Sequence, residues 1–143
     1  MTRHRWILIT GLIGGILAEA GQVNPAHAGL AEAQAAYNAG DFAAAFKELK
    51  PVADSGDAEA QALIAGMYAR GQGVPADPAE AARWYAMAAD QEHLYATTML
   101  GWFYMRGIGV EQDAVKGYRL LSRAAARGQP RAVEMKQAVA EKA

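Results

Sequence analysis

The sequence predicts an all-α fold: an α-solenoid of about three antiparallel helix pairs, closed by one further helix. The first observation behind this is a repeat. Ile64-Ala-Gly-Met-Tyr-Ala-Arg-Gly-Gln-Gly-Val74 returns thirty-six residues later as Leu100-Gly-Trp-Phe-Tyr-Met-Arg-Gly-Ile-Gly-Val110. The register holds outside that motif, pairing Ala60 with Ala96, Asp77 with Asp113, Trp84-Tyr85 with Leu120-Leu121 and Ala88-Ala89 with Ala124-Ala125. A period of this length marks stacked helical units, each of which buries its apolar face only against a neighbour. The second observation is that apolar residues from Gly29 onward follow helical spacing, with no sustained alternation of period two. The third is the lack of cysteine, which leaves helix packing as the only means of holding the domain together.

Residues 1–28 read as an export signal. Arg3 and Arg5 form a positive start, 6–18 an apolar run, and Ala26-His27-Ala28 a small-x-small cleavage site. The apolar run is shorter than the roughly 20 residues of a spanning helix, so removal is expected over anchoring. A mature chain of 115 residues would begin at Gly29, in the periplasm or outside the cell, with no stable membrane span.

The first helix pair is expected at 30–39 and 41–55, split at Gly40-Asp41. It is a shortened repeat, lacking the Gly-x-Gly-Val loop of the later copies. The second pair spans 58–70 and 78–90. Gly71 suits a left-handed helix end, Asp77 an N-cap and Pro78 a first turn. The third pair, 94–106 and 113–127, repeats the plan with Asp113 as cap. A last helix from Pro130 towards Ala143 places Ala132 in register with Ala60 and Ala96, a half repeat that covers the end of the stack. The resulting domain is 29–143, with repeats near 29–57, 58–93 and 94–129 and a capping helix at 130–143. Alanines 60, 81, 88, 96 and 124 recur where helices must approach closely, while Tyr68, Tyr104 and Leu121 fill larger gaps. Trp84-Tyr85 is expected in the core.

These residues resemble the Sel-like repeat family, a branch of the tetratricopeptide-type helical repeats. The motif that carries it is Leu100-Gly-x-x-Tyr104-x-x-Gly107-x-Gly109-Val110-x-x-Asp113, with Trp84-Tyr85 and Ala88-Ala89 in the second copy. The resemblance is strong over 58–128 and looser over 29–57. It implies a right-handed α-solenoid and a role as adaptor or scaffold, as in many exported bacterial members. A cysteine-rich branch has been linked to β-lactam binding or hydrolysis. That activity is not implied for a chain without those cysteines, and a cell-wall or β-lactam hydrolase is the least expected alternative to an adaptor.

Chemistry is hard to find. His4 and His27 fall in the signal, and His93 lies in register with Asp57 and Gln129 at a polar junction between repeats, a poor setting for a general base. No cysteine or second mature histidine exists to build a typical transition-metal site, so neither metal nor cofactor is expected. The Gly-x-Gly loops follow helices and lack a Lys-Ser/Thr sequel, which makes them turns and not phosphate cradles. No nucleic-acid motif accompanies the basic residues.

The differences between repeats are more informative. Glu59 becomes Tyr95, Ala62 becomes Thr98, Gly66 becomes Trp102 and Ala69 becomes Met105, while Arg70 stays basic as Arg106. Tyr95, Thr98, Trp102 and Met105 share one helical face, which in tetratricopeptide-type stacks lines the concave groove. The expected contact surface for another protein or peptide is therefore Glu59, Arg70, Tyr95, Thr98, Trp102, Met105 and Arg106, with packing of Trp102 under the capping helix as the competing reading. Lys116, Arg119, Arg123 and Arg127 make a second stripe that an anionic envelope polymer or lipid could meet, or water alone. Residues 29–113 carry twelve Asp/Glu against five Lys/Arg, and 114–143 seven Lys/Arg against two Glu, an asymmetry that also allows weak head-to-tail self-association.

Overall fold

The computed structural model describes residues 25–142, which form seven helices: α1 Pro25–Asn38, α2 Phe42–Asp54, α3 Ala58–Arg70, α4 Pro78–Asp90, α5 Leu94–Arg106, α6 Ala114–Ala126 and α7 Pro130–Glu141. Each packs on the next, α1 on α2 through to α6 on α7, and α7 also touches α5. This is the predicted all-α repeat stack. Among the described residues no helix is long and apolar enough to cross a membrane.

Side-chain caps explain where the helices begin. Asp41, Asp77 and Asp113, thirty-six residues apart, open α2, α4 and α6, each accepting a hydrogen bond from a backbone N–H three residues on, at 3.0, 3.1 and 2.9 Å. The second helix of every pair thus has one of its orphan donors satisfied in the same way. Gly71 and Gly107 end α3 and α5 with φ of 67° each, the left-handed cap expected of glycine.

The Gly-x-Gly loop has a structural purpose that its sequence leaves open. A side chain at Gly73 would overlap the carbonyl of Phe42, and one at Gly109 the carbonyl of Pro78. Each loop therefore seats its second glycine on the start of the preceding pair's second helix, and only hydrogen fits there. Among the described residues no pair precedes the first, and a Cβ added at Gly40 in its short turn meets nothing within 4 Å. The missing loop is the loop with nothing to dock on.

α1 departs from expectation. It begins at Pro25, not near 30, so it runs through the Ala26-His27-Ala28 site, while residues 1–24 of the expected signal lie outside the described residues. Proline tolerates a first helical turn, alanine continues it, and Gly29 allows close approach to α2, where an added Cβ would lie 2.9 Å from Val52 Cγ2.

Ala45, Ala60, Ala65, Ala81, Ala88, Ala96, Ala124 and Ala132 are fully buried, as are Ile64, Tyr85 and Leu121. Trp84 is core as predicted, with Lys50 and Arg83 over its ring at 5.3 and 4.9 Å. The third pair crosses more tightly than the second, because Gly101 and Gly117 replace Ala65 and Ala81; an added Cβ at Gly117 would sit 2.7 Å from the Gly101 carbonyl oxygen.

Candidate functional site

The first helices of the three pairs share a groove of about 290 Å³, lined along α3 by Glu59, Ala62, Leu63, Gly66, Met67 and Arg70. α1 adds Ala33, Gln34 and Tyr37, α2 Leu49, and α5 Tyr95. Its floor is apolar and its polar groups gather at the two ends.

At one end His93 joins two repeats. Its Nδ1 accepts from the Ala96 N–H at 3.2 Å, capping α5, while Nε2 lies 2.8 Å from a Glu59 carboxylate oxygen. An accepting Nδ1 places the proton of the neutral ring on Nε2, which then donates to Glu59. His93 thus holds the capping place that Asp57 fills for α3, where the Ala60 N–H donates to its carboxylate at 2.8 Å. Gln129, next in that register, makes no side-chain cap. The register is visible in the sequence but the shared role is not, because histidine is not among the preferred capping residues.

At the other end Arg70 Nη1 donates to the Tyr37 hydroxyl oxygen at 3.2 Å and to Gln72 Oε1 at 3.4 Å, and the Tyr37 hydroxyl donates to Gln72 at 3.0 Å. Gly66 lies beside this group: a Cβ there would stand in ordinary contact, 3.5 Å from Arg70 Nη1 and 3.6 Å from the Tyr85 hydroxyl. Burial, with Tyr95 beside it, pushes the Tyr85 hydroxyl well above the usual phenol range, so it remains neutral. Tyr85 meets Tyr95 and Phe103 edge-on, with centroids 6.4 and 5.5 Å apart.

The expected single stripe divides. Glu59, Arg70 and Tyr95 line the groove, whereas Trp102, Met105 and Arg106 line a separate notch of about 270 Å³ with Ala138 and Val139 of α7 and Lys142 at its C-cap. Trp102 is half-buried, with the Arg106 guanidinium 5.0 Å from its ring centre. Its neighbours belong to the half repeat, which follows the third pair as α5 follows the second. Thr98 needs correction as a contact residue: it is fully buried, and its hydroxyl donates to the Leu94 carbonyl at 2.9 Å.

The basic stripe on α6 is largely tied back to the protein. Lys116 Nζ donates to the Tyr104 hydroxyl at 3.0 Å and lies 4.2 Å from that ring's centre, a bond that raises the lysine's pKa. Arg123 donates to the Ala89 carbonyl at 3.1 Å, satisfying the C-terminal end of α4, and Arg127 pairs with Glu92 at 3.1 Å. Arg119 is exposed. Among the described residues no three His, Cys, Asp or Glu side chains are grouped to hold a metal ion.

The Sel1 repeat family model matches residues 58–93 and 94–129. A Sel1 repeat protein from Oxalobacter formigenes is 32% identical over 84% of this chain and 91% of its own, with a TM-score of 0.71. A protective antigen of uropathogenic Escherichia coli strains with an SLR fold is 25% identical at a TM-score of 0.77, covering 88% of this chain but 27% of the antigen. Cysteine rich protein B of Helicobacter pylori shares the fold at 20% identity, with a TM-score of 0.60 over 64% of this chain and 68% of its own. No curated protein matches the sequence.

Proposed function

Because this chain belongs to the Sel1 repeat family, whose members are generally protein-interaction scaffolds, we propose that it is a non-enzymatic adaptor of the bacterial cell envelope. It binds another protein through the groove between α1, α3 and α5. One observation carries this reading: the first helices of three successive repeats line one largely apolar cleft with polar ends. Export by residues 1–28 puts it in the periplasm or outside the cell.

The basic helix is the weaker candidate, since three of its four cations are already engaged within the protein. The notch at Trp102 is the groove's rival. Affinity recovery of crosslinked, tagged protein from its native envelope separates them. The groove reading expects a protein that Leu63→Arg loses and Trp102→Ala retains. Loss with Trp102→Ala alone would move the contact to the notch, and equal recovery by all forms would remove both surfaces.

A further inference from the structure

The groove carries unlike charges at its ends. Glu59 lies in the first turn of α3 and Arg70 in its last, but the Arg70 guanidinium folds back beside Gly66, where an added Cβ would lie 3.5 Å from Nη1, so the two charged groups stand about seven helical steps of ~1.5 Å, or roughly 10 Å, apart along the helix. Between the two residues lie Ala62, Leu63 and Met67, with Ala33 and Leu49 opposite. The Glu59 side chain is 61% exposed, and its one hydrogen-bond partner among the described residues is the His93 ring. Arg70 is exposed, and among the described residues no carboxylate lies within ion-pair distance of it. Its guanidinium is nonetheless fixed, because Tyr37 and Gln72 hold Nη1 and leave the other donors open.

A polyanion or a uniformly basic strand would meet repulsion at one end of such a cleft. An extended peptide rises ~3.3 Å per residue, so about three residues span the distance. We infer that the groove takes an extended segment of a partner protein with an apolar centre, an Asp or Glu side chain on Arg70 and a Lys or Arg side chain on Glu59. This rests on the groove being the binding surface. Arg70 acts as a bidentate carboxylate donor held in place by Tyr37, and Glu59 as the acceptor that sets which way the segment lies.

Four fluorescein-labelled peptides with one common apolar centre test it, their ends being Lys and Asp, Lys and Lys, Asp and Asp, or Ala and Ala. The protein carries a photo-crosslinking residue in place of Leu63, and affinities are read by fluorescence anisotropy. The Lys/Asp peptide should bind at least tenfold more tightly than the other three. Arg70→Glu should transfer the preference to the Lys/Lys peptide, and Glu59→Lys to the Asp/Asp peptide. Both positions are exposed, and thermal melts report whether the variants keep their fold. Equal affinities with crosslinking at position 63 would overturn the charge layout while leaving the groove as the binding surface. Failure of every peptide to crosslink there would overturn both, and a Lys/Asp preference that survives Arg70→Glu would overturn the layout alone.

Discussion

The second and third repeats are built on one skeleton and finished differently. Both have an aspartate cap on the second helix, a left-handed glycine after the first, and a loop glycine seated on the preceding pair. They part on the face that looks away from the stack. Beside Gly66, Arg70 folds along α3 towards Tyr37, whereas Trp102 fills that place in α5 and takes Arg106 onto its ring. One pair of substitutions thus makes an open groove in one repeat and a stacked aromatic beside α7 in the next. Positions that stack are held by geometry, and positions that do not are free to carry different chemistry.

The strongest way to break the comparison is at the docking loop. Gly109→Ala places a methyl onto the Pro78 carbonyl at a left-handed φ of 66°, while Gly40→Ala has φ 79° but open space. The backbone conformation costs roughly 1–2 kcal/mol in both, and the overlap adds roughly 1–3 kcal/mol in the first alone. Chemical denaturation should therefore find Gly109→Ala the more destabilised, losing roughly 2–5 kcal/mol in total against roughly 1–2 kcal/mol for Gly40→Ala. Equal losses at the two sites would mean that the loop does not dock.

Next comes the helix crossing. Gly117→Ala only restores what the second repeat has at Ala81, yet its Cβ would lie 2.6 Å from Met105 Cγ and 2.8 Å from the Met105 backbone nitrogen. Overpacking of about 1–3 kcal/mol outweighs a helix-propensity gain of about 1 kcal/mol, so the variant should melt lower. A higher melting temperature would show that α5 and α6 can separate without loss. A third effect, smaller again, concerns the cap of α5. His93→Ala should cost about 1 kcal/mol and His93→Asp should recover most of it, since Asp57 caps α3 in the same register. Equal stability of the alanine and aspartate variants would deny the capping role.

Much of this was legible in the chain. The thirty-six-residue period, the Asp77 and Asp113 caps, the Gly71 and Gly107 helix ends and the seven helices follow from local rules, which every repeat obeys alone. What was not legible depends on neighbours. The Trp102 stripe parts from the groove because it faces the next helix, α7, whose Ala138 and Val139 lie thirty-six and thirty-seven residues beyond Trp102 in the chain. Thr98 reads as a polar contact until its hydroxyl is seen returning to its own helix at Leu94. Lys116, Arg123 and Arg127 read as a free cationic stripe because their partners lie twelve, thirty-four and thirty-five residues away, beyond any local pattern.

Gly66→Ala is the smallest change and sharpens the comparison most, because it moves the open repeat one step towards its closed sister. The new Cβ would stand 3.5 Å from Arg70 Nη1 and 3.6 Å from the Tyr85 hydroxyl, ordinary contact distances that call for no rearrangement. Replacing a mid-helix glycine should then stabilise the protein by about 0.5–1 kcal/mol in a denaturant melt, the reverse of Gly117→Ala. The same methyl narrows the groove beside Arg70, so peptide affinity should fall modestly while stability rises. A glycine kept for packing would show destabilisation here. One that keeps the groove open shows stability and binding moving in opposite directions, and only that outcome marks Gly66 as a residue of the site.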